Sequence, residues 1–184
     1  MGRLLQVCVV GRLHDDAGTV GTTAIDKRPV DGPVKVGRLG VYADVQADRK
    51  HHGGEEKAVY AYAAEDADWW AEQLQREIAP GMFGENLRIE GLDVSAARVG
   101  ERWRIGAGES AVVLEVTSAR TPCMTFARWM GEQDNGWVKR FSDARRLGAY
   151  LRVVTPGRIS AGDPVEVIAS PEGAPTILDV YAGV

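Results

Sequence analysis

Cysteine is scarce. The chain has two in 184 residues, Cys8 and Cys123, too few for a secreted scaffold stapled by disulfides. Histidine is nearly as scarce: His14, His51 and His52 are the three, and no spaced Cys/His set of the zinc type is present. No apolar run approaches the length of a membrane-spanning helix. The first residues do not read as a secretory leader, because no small-residue cleavage site follows the short apolar run and His14, Asp15 and Asp16 come soon after it. These absences lead to the expectation of a cytoplasmic protein that does not engage a membrane. Excess positive charge is also missing. The net charge is −4, which argues against a general nucleic-acid-binding surface while allowing a local basic pocket. Internal repeats and a domain linker are absent as well. What is present, 45% hydrophobic and 26% charged residues, suits one soluble domain with a large core.

Residues 4–10 read as a first strand, with Cys8 inside an apolar run and hence in the core. Short strand candidates follow at 34–36 and 39–42, then at 87–89, 99–106, 111–117, 149–154 and 165–168, with a last one at 176–181. Many short strands at close spacing predict a mostly β fold, barrel-like or strongly bent. The best helix spans 58–78. It has Glu65, Asp66 and Asp68 early, Arg76 late and Pro80-Gly81 after it, and its apolar face runs through Ala67, Trp70, Ala71, Leu74 and Ile78. Trp69 falls off that face. A second helix is expected from Asp134 to about Arg145, and a short one after Cys123.

Four places carry chemistry. Pro122 ends the 111–117 strand, because it cannot donate to a ladder. Cys123 therefore sits at a strand-to-helix corner, with Arg120 three residues upstream. Two readings stand there: a thiol poised towards thiolate, and a small buried hydrophobe. The stretch 44–54 is too polar for a core. In it, Gly53-Gly54 either turns the chain or lets backbone N–H groups approach an anion, with Arg49, Lys50 and His52 adding positive or donor groups. Glu85 and Asn86 either cap a turn or face a pocket. Arg152 interrupts an apolar strand, so it lies on a solvated face or is aimed into a site.

Taken together, Ala24-Ile25-Asp26-Lys27, Val30-Asp31-Gly32, Asp44-Val45-Gln46-Ala47-Asp48, His52-Gly53-Gly54, Phe83-Gly84-Glu85-Asn86-Leu87, Arg120-Thr121-Pro122-Cys123 and the stretch 148–157 resemble the MOSC family, named for the C-terminal domain of molybdenum-cofactor sulfurases. The segments stand in the family's order and cover most of 22–168. The similar branch is that of bacterial stand-alone proteins that detoxify N-hydroxylated bases such as 6-hydroxylaminopurine. The resemblance implies a single MOSC-type domain over 1–184, with its core at about 22–168. It implies a bent β-barrel with peripheral helices and a pocket for a molybdopterin-type molybdenum cofactor. Cys123 would supply a thiolate to molybdenum, or carry sulfur as sulfurase relatives do. Lys27, Arg49, Lys50, Arg120 and Arg152 would neutralise phosphate or oxo groups, with Gly53, Gly54, Glu85 and Asn86 beside them. The chain departs from the family pattern at Ala43, where a glycine is usual, and at Thr125, where the reductase branch usually has lysine.

Two functions follow from that resemblance. One is a molybdenum-dependent oxidoreductase acting on small N-hydroxylated compounds, with electrons from a separate donor protein and Asp44 or His52 as proton donor. The other is a non-enzymatic carrier of the cofactor, or of persulfide sulfur on Cys123.

Overall fold

The computed structural model describes residues 1–45, 53–132 and 134–183. In chain order its elements are β1 (Gly2–Val10), β2 (His14–Asp15), β3 (Thr22–Thr23), β4 (Lys27–Pro29), β5 (Val34–Gly37), β6 (Gly40–Val41), β7 (Val59–Ala63), α1 (Ala64–Leu74), β8 (Leu87–Glu90), β9 (Arg102–Ile105), β10 (Val112–Ala119), α2 (Met124–Trp129), α3 (Gly136–Asp143), β11 (Ala149–Thr155), β12 (Gly157–Ile159), β13 (Pro164–Ala169) and α4 (Ile177–Ala182).

The main sheet closes on itself. Its order is β13-β9-β10-β11-β7-β8-β1, and β1 returns to β13 through Gly2↔Val165 and Arg3↔Pro164. This is the β-rich barrel that the strand spacing predicts. Closure leaves no open edge among those seven strands. β7 and β8 are parallel, so the chain must cross over between them, and α1 lies in that crossover. β4 hangs from the far end of β1, with Cys8↔Pro29 and Val10↔Lys27 in register. In β9 the alternation is plain: Trp103 and Ile105 are buried, while Arg102 and Arg104 are exposed.

Two expected elements differ in kind or extent. The helix placed at 58–78 begins only at Ala64, because residues 59–63 form β7, buried at every position. Val59, Tyr60 and Tyr62 favour extended backbone, and β7 finds a partner on each side, β11 and β8. The terminal strand expected at 176–181 is the helix α4. The Thr176 side chain accepts the Asp179 N–H (3.1 Å), and the Asp179 carboxylate accepts the Thr176 N–H (2.9 Å). This capping box starts a helix at a point where the side-chain pattern alone also suits a strand.

α1 packs on the barrel through Trp70, with Leu74 partly buried beside it. Trp70 stacks on Phe141 of α3 (centroids 5.4 Å apart), and Phe141 meets Phe126 of α2 edge-on at 4.9 Å. Trp69 is half-buried, with the Arg146 guanidinium 4.8 Å from its ring. β11 can approach β7 because Gly148 (φ +69°) has no side chain. A Cβ there would come within 2.6 Å of the Ala61 carbonyl and 2.8 Å of the Tyr60 and Tyr62 rings. Among the described residues no helix is long and apolar enough to cross a membrane.

A buried ion pair shapes the turn before β8. The fully buried Glu85 carboxylate accepts the N–H groups of Gly81 (2.8 Å) and Phe83 (3.0 Å) and pairs with Arg88, which also donates to the carbonyls of Ile78 (3.2 Å) and Ala79 (3.3 Å). Glu85→Gln leaves the Arg88 charge uncompensated in the core. The expected loss of unfolding free energy is about 3–5 kcal/mol, measured by urea denaturation. A loss under about 1 kcal/mol, the scale of an exposed ion pair, would show that the pair does not support the turn.

Candidate functional site

A cavity of about 410 Å³ opens beside the β10–α2 corner, within the range of small-molecule pockets. β10 ends at Ala119, and Cys123 occupies the N-cap position of α2 with extended backbone (φ −139°, ψ 172°). The strand-to-helix corner expected from Pro122 is present. Cys123 is half-buried and is not bridged to Cys8. Cys8 is fully buried, and burial pushes its thiol up to about 12, so it is a neutral core residue at physiological pH.

Arg120 is the unusual member of the lining. It is only 5% exposed. Its guanidinium lies 3.7 Å from the Phe126 ring centroid, 5.6 Å from that of Phe141 and 5.7 Å from that of Tyr60. Aromatic faces attract a cation, but a ring offers no lone pair to an in-plane N–H group, and Nη1 finds no acceptor. Among the described residues three buried side-chain nitrogens have no hydrogen-bond partner: Trp70 Nε1, Trp137 Nε1 and Arg120 Nη1. Of the three, only Arg120 is charged and only Arg120 lines the cavity. A buried, uncompensated cation is costly, and an anion entering the cavity would relieve it.

Two other cations of the lining are matched. Lys27, on β4, pairs with Asp44, whose carboxylate also accepts Asn86 Nδ2 (2.8 Å) and the Val10 N–H (2.9 Å). Asn86 is a cross-brace: its Oδ1 accepts the Tyr60 N–H (3.1 Å), and its Nδ2 also donates to the Cys8 carbonyl (3.2 Å). Arg128, on α2, donates from Nε (2.8 Å) and Nη2 (2.7 Å) to Asp16, which also accepts the Thr125 hydroxyl (2.9 Å). Burial pushes the Tyr150 phenol up, with Arg120 opposing, and Lys57 Nζ stands 5.6 Å from the Tyr150 ring centroid.

Lys27, Asp44, Asn86, Arg120 and Cys123 all line this one cavity, though they span 97 positions of sequence between Lys27 and Cys123 (inclusive). Other expected site residues lie elsewhere. Glu85 is outside the lining, occupied by Arg88 and the 81–83 turn. Arg152 is also outside it. Arg152 stands across from Glu115 in the β10–β11 register, donates to its carboxylate (2.6 Å), and lies 3.6 Å from Glu56. Gly53 and Gly54 are not in the lining either. Gly54 (φ +89°) precedes a short 3-10 turn, Glu55–Lys57. Arg49, Lys50 and His52 lie outside the described residues. Sequence reasoning passed over Asp16, Arg128 and Tyr150 as site residues and noted Thr125 only as a departure from the family's lysine. Tyr150 stands two residues after Gly148, inside the stretch 148–157, but the charged Arg152 drew the assignment in that strand.

Residues 48–166 match the MOSC domain family. The chain is 34% identical over 150 residues to the uncharacterized protein YflK of Bacillus subtilis strain 168, covering 82% of this chain and 65% of that one. It is 32% identical over 151 residues to protein YiiM of Escherichia coli K12, covering 80% of this chain and 64% of the relative. The chain thus spans a little under two thirds of the length of either. The crystal structure of YiiM from Geobacillus stearothermophilus superposes with a TM-score of 0.77 at 27% identity, covering 98% of this chain and 84% of that one.

The Asp16–Arg128 pair sets a pH dependence. Arg128 holds the Asp16 carboxyl down at about 2, from an ordinary 3.8. Because the folded value is the lower one, the pair stabilises the fold above about pH 4. That contribution is lost as pH falls from about 4 through about 2. Urea midpoints of the parent chain should therefore drop more steeply between pH 4 and pH 2 than those of Asp16→Asn. Parallel curves would mean that the pair does not contribute.

Proposed function

The chain belongs to the MOSC domain family, and from that premise we propose that its cavity binds a molybdopterin-type molybdenum cofactor and serves the reduction of small N-hydroxylated compounds. The observation that carries this reading is the buried Arg120 guanidinium, its Nη1 unpartnered, in the same cavity as the Cys123 thiol.

The donor set suits such a group. Among the described residues no cluster of three or more His, Cys, Asp or Glu gathers as a metal site. A single thiolate suffices where the cofactor brings its own sulfur ligands to the metal. Arg120 would take its anionic part, and Cys123 would ligate the metal. Lys27, held by Asp44 and Asn86, adds an ammonium to the same lining. Asp44 acts through Lys27, since three donors already occupy its carboxylate. When bound, the group supplies the two-electron chemistry: R–NHOH takes two electrons from a separate donor protein and two protons, the N–O bond breaks, and R–NH₂ and water leave. The substrate is a small molecule, and the setting is the cytoplasm.

A second reading rests on Cys123 being half-buried rather than sealed: a carrier that hands cofactor or persulfide sulfur to a partner needs such access. Metal content and turnover separate the two readings.

The test uses protein purified from a host that makes the cofactor. Cys123→Ser is close to isosteric and should keep its melting temperature. It should lose bound molybdenum and reduce a hydroxylamine more than about 100-fold more slowly, beyond the 10–100-fold that outer-shell changes typically cost. Cys8→Ser buries a hydroxyl in the core and should lower the melting temperature while keeping metal. Full metal content and rate in Cys123→Ser would overturn the assignment. Metal without turnover on a broad hydroxylamine panel would favour the carrier.

A further inference from the structure

The hairpin β2–β3 forms part of the cavity wall, and nothing in the anion-binding role of Arg120 requires it. Gly18, Thr19, Val20, Thr22 and Thr23 all line the cavity. The hairpin is fastened to one face of α2. Asp16 accepts from Thr125 and Arg128, and the His14 ring meets the Trp129 ring edge-on at 5.3 Å. Thr125, Arg128 and Trp129 are three and four apart and so share a helix face. His14 is held in turn by Asp26 at 2.8 Å. Both oxygens of Asp16 are engaged by Arg128 in the bidentate geometry that is strongest for a guanidinium. The turn closes tightly over this clamp. Gly18 N–H donates to Asp16 (3.0 Å), and a Cβ at Gly18 would come within 2.7 Å of Asp16 Oδ2 and 3.2 Å of Arg128 Nη2.

The clamp also decides where charge is available. Lys27 is answered by Asp44 and Arg128 by Asp16, whereas Arg120 has no carboxylate partner among the described residues; Lys57 also lines the cavity, by the Tyr150 ring and away from the hairpin. Among the described residues, the side chains left to meet a ligand on the hairpin–α2 side are the hydroxyls of Thr19, Thr22 and Thr23 and the apolar Val20 and Met124.

We propose that the Asp16–Arg128–Thr125 clamp determines substrate class: by cancelling the Arg128 charge it reserves the hairpin–α2 side for an uncharged, hydrogen-bonding small molecule and leaves anion binding to the Arg120 side of the cavity. Asp16 is thus a positioning residue. The inference rests on the reading that Arg120 takes the cofactor's anionic part. It adds that a second anion is refused, so the substrate reaching the same cavity is neutral.

The test is calorimetric titration of the full chain with inorganic phosphate, which needs no bound cofactor. The parent chain should bind phosphate at one site that Arg120→Gln removes. Asp16→Asn keeps the size of the side chain and releases the Arg128 charge. It should add a second phosphate site or tighten binding about tenfold, the scale of one partly screened charge. Asp16→Asn combined with Arg128→Gln should lose that gain. Arg128→Gln alone leaves the Asp16 charge facing the cavity and should weaken phosphate binding. An unchanged isotherm in folded Asp16→Asn overturns the proposal. So does a gain that persists in the double variant, which would mean that a loosened hairpin rather than a freed charge is responsible. If Asp16→Asn does not fold, unaltered binding by Arg128→Gln overturns it instead. Failure of the parent chain to bind phosphate, with the Asp16→Asn gain intact, would strike at the Arg120 reading alone.

Discussion

The guanidinium of Arg120 is held among aromatic rings rather than by a carboxylate, and the site is arranged around that choice. Phe126, Phe141 and Tyr60 come from α2, α3 and β7, so the cation sits where two helices meet the barrel. The ring faces lower the cost of burying the charge without neutralising it. A carboxylate in the same place would have made Arg120 a structural residue, as Glu85 does for Arg88. The two buried arginines lie on neighbouring parts of one core and differ in this respect. Arg88 has acceptors for its donors inside the protein, and Arg120 has a donor left over that lines a cavity.

Barrel closure makes this arrangement rigid. β1 reaches β13 at its start and β4 at its end. At that far end its backbone takes part in the site directly: the Val10 N–H reaches Asp44, and the Cys8 carbonyl accepts from Asn86. The Lys27–Asp44–Asn86 group is therefore anchored on a strand of the closed ring rather than on a loop. Across the cavity, the hairpin and α2 are tied by side chains, through Asp16 and His14. One side of the cavity is fixed to a strand of the closed barrel, and the other is fastened to α2 through an ion pair. Variation in ligand preference is thus easier on the second side, where one substitution changes the wall without touching the barrel.

The mostly β architecture was legible because period-two alternation and turn residues are local signals. Arg102-Trp103-Arg104-Ile105 reads the same in the sequence and in β9. The corner at Cys123 was legible for a similar reason, since Pro122 limits its own strand whatever surrounds it. The start of α1 was not, because apolar residues at 59–63 satisfy a helical stripe as well as a buried strand, and only the flanking β8 and β11 decide between them. The terminal α4 was missed where a two-residue capping box, rather than the apolar pattern, settles the matter.

By itself the sequence determined which residue types were available for chemistry: two thiols, one of them beside a proline corner, and a set of cations without any Cys/His metal cluster. Only the tertiary structure decided which cations remain uncompensated. Lys27, Arg88, Arg120, Arg128 and Arg152 are alike as letters, yet four of them meet Asp44, Glu85, Asp16 or Glu115 across the fold, while Arg120 meets aromatic rings. Pairing of charges depends on contacts over a few ångströms between segments up to about a hundred residues apart, as between Asp16 and Arg128. No local pattern encodes such contacts, which is why the availability of Arg120 for an anion belongs to the fold.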